Sequence, residues 1–214
     1  MRFRLGFFDW NGTIFNDLEA TYAATVETIK QLAPNPRVPT LREYREERSA
    51  ETMMEFYYSR GVPRMYTRGE IYAAWEIHYN KICGGMRLHA GAARTLNYFC
   101  EQGLVMVILS AAPESTITLL KKFDILHLFN DVRFGANNKG AVITEFLERY
   151  QILPRSAFYV DDSADGIKEA QKTGVFTMGF TEGTSSPEHI RAANPHHVIS
   201  SLTDTMRIFR VSRH

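Results

Sequence analysis

The chain has 214 residues, 44% of them hydrophobic and 23% charged, with a net charge of +1 at pH 7. That is long enough for a sizeable core and has the composition of an ordinary globular protein, and so even a charge balance argues against a nucleic acid or a membrane surface as partner. Two cysteines without metal-ligand spacing, Cys83 and Cys100, no apolar run of membrane-spanning length, and a first strand too near the N-terminus for a signal peptide point to the cytoplasm.

The apolar run from Phe3 to Phe8, bounded by turn residues, reads as a buried strand. It runs into Asp9, with Asn11, Gly12 and Thr13 directly after. A carboxylate at the carboxyl end of a buried strand, beside a Gly-containing turn, stands where open α/β sheets place ligand chemistry. Asp17 is then expected to cap a helix with Leu18, Tyr22, Val26 and Ile29 along its apolar face, ending before the proline-broken loop at 33–36. Thr40 with Glu43, and Thr67 with Glu70, have capping-box spacing and start two more helices. The first runs toward Tyr58; the second carries Ile71, Trp75, His78 and Ile82 on one face. Residues 17–85 thus read as helical without a strand.

Beyond them strands and helices alternate. A helix over Ala92 to Glu101 is stopped by Gly103, and Leu104 to Leu109 (LVMVIL) has the continuous apolar character of a strand buried on both faces of a parallel sheet. A helix over 114–123, a short strand at 132–134 and an amphipathic helix over 138–150 follow. Next come a buried strand from Ala157 to Val160, a helix over 164–173 and a strand over 175–180. A helix start at Ser185 to Glu188, an edge strand at Val198 and Ile199, and a last helix from Leu202 complete the chain. The alternation implies parallel pairing through right-handed crossovers. More than ninety residues separate the first strand from LVMVIL, whereas a βαβ unit takes about 30. The expected architecture is therefore an α/β, Rossmann-like parallel-sheet core, 1–16 with 86–214, carrying an inserted α-helical cap at 17–85. Attached just after Asp9, the cap is expected over the strand ends, where it would exclude water from a substrate.

Four separated pieces of this core resemble, in order and at strand ends, the four motifs of the haloacid dehalogenase superfamily. Asp9-Trp-Asn11-Gly12-Thr13 resembles its opening D-x-D-G-T, with Asn11 in place of the second Asp. Ser110 follows LVMVIL, Lys139 begins a helix, and Asp161-Asp162 with Asp165 follow the strand AFYV. The stretches GAARTLNYFCEQGL and GFTEGTSSPEHI look like phosphoglycolate-phosphatase-like members, which share a helical cap at the place of 17–85.

Asp9 is the candidate nucleophile, a carboxylate able to carry a covalent aspartyl-phosphate. If Asp9, Asp161 and Asp162 meet, their charges should raise one another's pKa values, and Mg²⁺, which takes oxygen ligands, removes the conflict. The resemblance implies as ligands Asp9, the backbone carbonyl of Asn11 and one fourth-motif carboxylate, Asp162 ahead of Asp161. Ser110 and the N–H groups around Ala111 would hold phosphoryl oxygens, and Lys139, ahead of Lys168, would offset charge developing in transfer. Thr13 is expected to orient Asp9 or the phosphate. Asp165 is open between a helix N-cap and the metal shell. His78 is read as a packed or capped residue and His89 as the approach to a Gly turn, neither of them catalytic, and Arg42, Arg45, Arg48 and Arg64 as a solvated face.

The family's second Asp protonates the leaving group and later activates water, and positioned acid/base catalysis is worth about 10²–10⁴-fold. Asn11 has no proton to exchange, though it can hydrogen-bond a leaving oxygen. The favoured reading is a Mg²⁺-dependent phosphatase acting on a small phosphorylated metabolite, as a monomer or homodimer. A phosphonatase-like hydrolase would need a cap lysine, Lys30 or Lys81, and a dehalogenase-like one would not need the acidic fourth motif. A phospho-ligand binding protein with little turnover is the remaining alternative.

Overall fold

The computed structural model describes residues 2–47 and 53–212. The chain forms two compact units, Met1–Asn16 with Leu88–His214, and Asp17–Arg87.

The first unit is built on six strands: β1 (Leu5–Phe8), β4 (Val105–Leu109), β5 (Asp131–Arg133), β6 (Ala157–Asp161), β7 (Phe176–Phe180) and β8 (His197–Ile199), while β2 (Phe15–Asn16) and β3 (Arg87–Leu88) are two-residue strands outside this sheet. The spatial order is β5-β4-β1-β6-β7-β8, with every pairing parallel. Phe8 lies opposite Ile108 on one side and Val160 on the other. The chain builds outward from β1 through β4 to β5, then returns to the far side of β1 with β6. The crevice beyond the carboxyl ends of β1 and β6 is the switch point where such sheets bind ligands.

Parallel strands covered on both faces need apolar side chains at successive positions. All four residues of β1 are buried, as are Met106 to Leu109 of β4 and all five of β6. Alternate side chains go to opposite faces. On one face Leu5, Phe7, Val107, Leu109 and Tyr159 pack with Ile143, Phe146 and Leu147 of helix α7 (Lys139–Arg149). On the other, Phe8 and Phe99 both contact the Phe158 ring, with centroids 5.5 and 5.6 Å away. The helix expected over 114–123 begins as a 3₁₀ turn, Glu114–Thr116, before its α-helical part, Ile117–Lys122.

The second unit is helical: α1 (Leu18–Leu32), α2 (Leu41–Glu47), α3 (Met53–Ser59) and α4 (Arg68–Ile82). Its core gathers Ile29, Tyr44, Phe56, Tyr57, Val62 and Ile71. The Thr67–Glu70 capping box forms as expected, and Thr40 and Glu43 exchange the same reciprocal hydrogen bonds. Of the helix expected from Thr40 toward Tyr58, α2 and α3 are seen; its middle, with Arg48, lies outside the described residues. Asp17 stands at the start of α1 but its side chain does not cap it. Its carboxylate instead accepts from the Tyr79 hydroxyl at 2.7 Å, a partner sixty-two positions away. His78 is paired with Gln31 at 2.8 Å. No helix among the described residues is long and apolar enough to cross a membrane.

Candidate functional site

Asp9 leaves β1 with its N–H bonded to the Val160 carbonyl at 3.0 Å, so the end of β1 is tied to the end of β6. The chain then turns tightly, with Thr13, Ile14 and Phe15 all donating backbone N–H bonds to the Trp10 carbonyl at 2.9–3.3 Å. The buried Trp10 indole stacks on Phe15, 5.1 Å between centroids. Gly12 takes φ +75°, and a Cβ there would lie 2.2 Å from Asp162 Oδ2, so only glycine serves.

Across the switch point, Asp9, Asp161 and Asp162 each place a carboxylate oxygen within 4.8 Å of the others. They are 5%, 0% and 3% exposed. Lys139, at the first position of α7, sends Nζ to Asp9 Oδ1 at 2.7 Å and to Asp161 Oδ2 at 2.9 Å. Its own N–H donates to Glu169 at 2.7 Å, and the Asn138 side chain caps the helix. Three carboxylates and one ammonium, all ionised, leave two negative charges in excess. Burial holds the Asp9 carboxyl well above its usual range; Lys139 opposes this, and Asp161 and Asp162 add to it. Burial, with Asp161 next, pushes Asp162 up to about 7. Burial alone would lower Lys139, but Asp161 and Asp9 reverse that and hold its ammonium well above the ordinary lysine value. An all-oxygen set with two negative charges to neutralise fits a divalent cation.

The two adjacent aspartates differ in what holds them. Asp161 accepts from the Tyr159 hydroxyl, from Lys139 Nζ and from the Ser163 N–H. Among the described residues Asp162 accepts from neutral donors, the Thr13 hydroxyl on Oδ1 at 2.9 Å and the Thr184 N–H on Oδ2 at 2.6 Å. Asp161 therefore serves as counter-ion to Lys139, while the charge of Asp162 remains unpaired. A Cβ on Gly166 would sit 1.8 Å from Asp161 Oδ2, so the Asp161 side chain fills the space in which a residue at 166 would begin.

Thr13 departs from expectation. Its hydroxyl donates to Asp162 and accepts from the Asp162 N–H at 3.1 Å. A hydroxyl has one proton to give, so it orients Asp162 rather than Asp9 or a phosphate. Asp165 is exposed and outside the carboxylate cluster, and Ser163 caps the helix α8 (Ala164–Gln171) in its place. Lys168 is exposed. Ser110 is buried at the end of β4, its N–H on the Arg133 carbonyl and its carbonyl accepting from Ala136, both at 3.0 Å. Its Oγ accepts from the Ala112 N–H at 3.2 Å, which leaves the hydroxyl proton to give. Ala111, next to it, is exposed, and Asn11 is half-buried. His89 is buried with its ring edge-on to Phe180, 4.9 Å between centroids; burial lowers its pKa, against which the Gly12 carbonyl acts. Sequence reasoning missed Tyr159, Gly183 and Thr184. Tyr159 carried a signal, because residues two apart on a strand share a face and Asp161 is its i+2 neighbour. Gly183 and Thr184 lie in the stretch GFTEGTSSPEHI, whose resemblance marked the segment but not their contact with Asp162, because that partner lies across the fold.

The family model for haloacid dehalogenase-like hydrolases matches residues 7–180. The chain is 24% identical over 133 residues to a phosphoglycolate phosphatase of Mannheimia succiniciproducens, and 25% identical over 131 residues to one of Vibrio parahaemolyticus. These matches span 59% and 58% of the chain, and the same shares of each relative's length. Among solved structures, a predicted phosphoglycolate phosphatase from Haemophilus somnus superposes with a TM-score of 0.79 at 20% identity, covering 97% of this chain and 98% of that one. A predicted phosphatase from Clostridium acetobutylicum gives 0.81 at 15% identity, with both chains covered in full. At such identities the structural likeness concerns the fold.

Proposed function

We propose that this chain, which belongs to the haloacid dehalogenase-like hydrolase family, is a Mg²⁺-dependent phosphatase of small phosphorylated metabolites, phosphoglycolate being the first to try. The observation that carries the reading is the cluster of three buried carboxylates, Asp9, Asp161 and Asp162, around the Lys139 ammonium at the switch point of the sheet. Asp9 and Asp162, with the backbone carbonyl of Asn11, would hold the cation. Bound there, Mg²⁺ would neutralise the excess charge and polarise a phosphoryl oxygen.

Asp9 attacks phosphorus while the bond to the leaving alkoxide breaks, which yields an aspartyl-phosphate and an alcohol once a proton is taken up. Water then attacks the same phosphorus, the Asp9–phosphorus bond breaks, and phosphate leaves with Asp9 restored. Lys139, fixed between Asp9 and Asp161, lies beside the transferred group as its charge develops. Ser110 and the Ala111 N–H bind its equatorial oxygens. The Asn11 amide donates a hydrogen bond to the departing oxygen but supplies no proton, so the alkoxide is protonated from solvent or by the substrate. Slow turnover, fastest with good leaving groups, follows.

The test is hydrolysis of p-nitrophenyl phosphate and phosphoglycolate by the wild type and Asn11→Asp, each with Mg²⁺ or EDTA. Mg²⁺-dependent turnover is expected in both, about 10²–10⁴-fold faster in Asn11→Asp. No hydrolysis by either, with chloride released from haloacids, would overturn the phosphatase in favour of a dehalogenase. Binding of vanadate without turnover in either protein would favour a phospho-ligand binding protein.

A further inference from the structure

We infer that the loop from Thr181 to Ser186 is a positioning element for the divalent cation, with Gly183 and the Thr184 N–H holding the Asp162 carboxylate in its ligating orientation. The inference rests on the cation reading above and extends it to residues outside the four motifs. The loop leaves β7 at the carboxyl edge of the sheet and meets Asp162 at two points. The Thr184 N–H donates to Oδ2 at 2.6 Å. Gly183 packs so closely that a Cβ on it would lie 2.3 Å from Asp162 Cβ and 2.4 Å from Oδ2. Contact with the near end of the side chain as well as its tip allows no rotamer change to make room.

The loop is also not free to retreat. At one end the Thr181 N–H and hydroxyl both bond to the Ile199 carbonyl of β8, at 3.0 and 3.3 Å. At the other, Ser186 caps the helix α9 (Pro187–Ala192) by accepting from the His189 N–H. Thr181, Ser185 and Ser186 are buried, unusual for hydroxyl residues in a connecting loop. Gly12 also packs against Oδ2, and the Thr13 hydroxyl donates to Oδ1. Asp162 is thus gripped at both oxygens by donors that carry no charge. They fix its direction while leaving its charge for a cation, whereas the charge of Asp161 is matched by Lys139.

Mg²⁺ is titrated into the EDTA-stripped, dialysed wild type, Gly183→Ala, Thr184→Pro and an exposed-residue control outside the loop, Glu101→Ala, by calorimetry, with folding followed by circular dichroism. The expected result is a dissociation constant raised about 10–100-fold in Gly183→Ala and Thr184→Pro, as for other groups that orient metal ligands, and unchanged in Glu101→Ala. Wild-type affinity in a folded Gly183→Ala or Thr184→Pro would overturn the inference. Should neither variant fold, the wild type decides, because the Thr184 amide resonance is expected to move on saturation with Mg²⁺, and an unmoved resonance refutes the clamp. A wild type that binds no Mg²⁺ would refute the cation reading itself, and that failure is distinct from loss confined to, or absent from, the loop variants.

Discussion

Replacing Lys139 with Met keeps most of the side-chain volume and removes a cation from a pocket of three buried carboxylates. Its Nζ stands 2.7 Å from Asp9 and 2.9 Å from Asp161, with the lysine side chain only 12% exposed. Screening by solvent is therefore slight, and the relevant scale is that for breaking a buried ion pair, about 3–5 kcal/mol. The sign of its pH dependence follows from the carboxyls left behind. Burial already holds Asp9 above its usual range, with Asp161 and Asp162 adding to it, while Lys139 opposes them. Without the lysine the carboxyl rises further. A carboxyl raised in the folded state favours folding at low pH and loses that contribution as pH rises through its folded value. Urea denaturation in EDTA should show Lys139→Met less stable than wild type by about 3–5 kcal/mol near pH 8, with the gap closing toward pH 4. A gap below about 1 kcal/mol, the scale of an exposed pair, or one that ignores pH, would mean that Lys139 does not neutralise this pocket.

Asp162 allows a second pH test. Its carboxyl moves from 3.8 to about 7 on folding, so between those values the folded state keeps a proton that the unfolded chain has released, and apo stability falls as pH rises. At about 1.4 kcal/mol per tenfold change in proton affinity, the contribution withdrawn is about 4 kcal/mol. It is read as the stability difference between wild type and Asp162→Asn in EDTA; a difference independent of pH would sink it. Tyr159→Phe, which removes the hydroxyl donated to Asp161, should cost about 1.5–3 kcal/mol, the range for a hydrogen bond to a charged group. Equal urea midpoints for the variant and wild type would show that Tyr159 is there for packing alone.

What could be read along the chain was whatever local interactions decide. The LVMVIL run becomes β4 because a strand covered on both faces needs apolar side chains at every position. Thr67 and Glu70 begin α4 because their bonds close within one turn. Asp9 could be named from its own few neighbours, because it stands where a buried strand ends beside a Gly-containing turn, whereas Ser110, Lys139 and the Asp161–Asp162 pair were named through their resemblance to the family's motifs. The helical character of the second unit was legible for the same reason. The exchange of Asp17 from cap to partner of Tyr79 was not, since that bond joins residues from separate helices.

The division of work between Asp161 and Asp162 belongs to the tertiary structure alone. Neighbours in sequence, they are told apart by Lys139 and Tyr159 on one side and by Gly12, Thr13 and Thr184 on the other. Thr13 reaches Asp162 across 149 positions of chain, and Lys139 reaches Asp9 across 130. Strand order and register set those meetings. A side chain's spacing in sequence says which face it takes, whereas the charges and donors waiting on that face come from strands that the sheet, once assembled, has placed beside it.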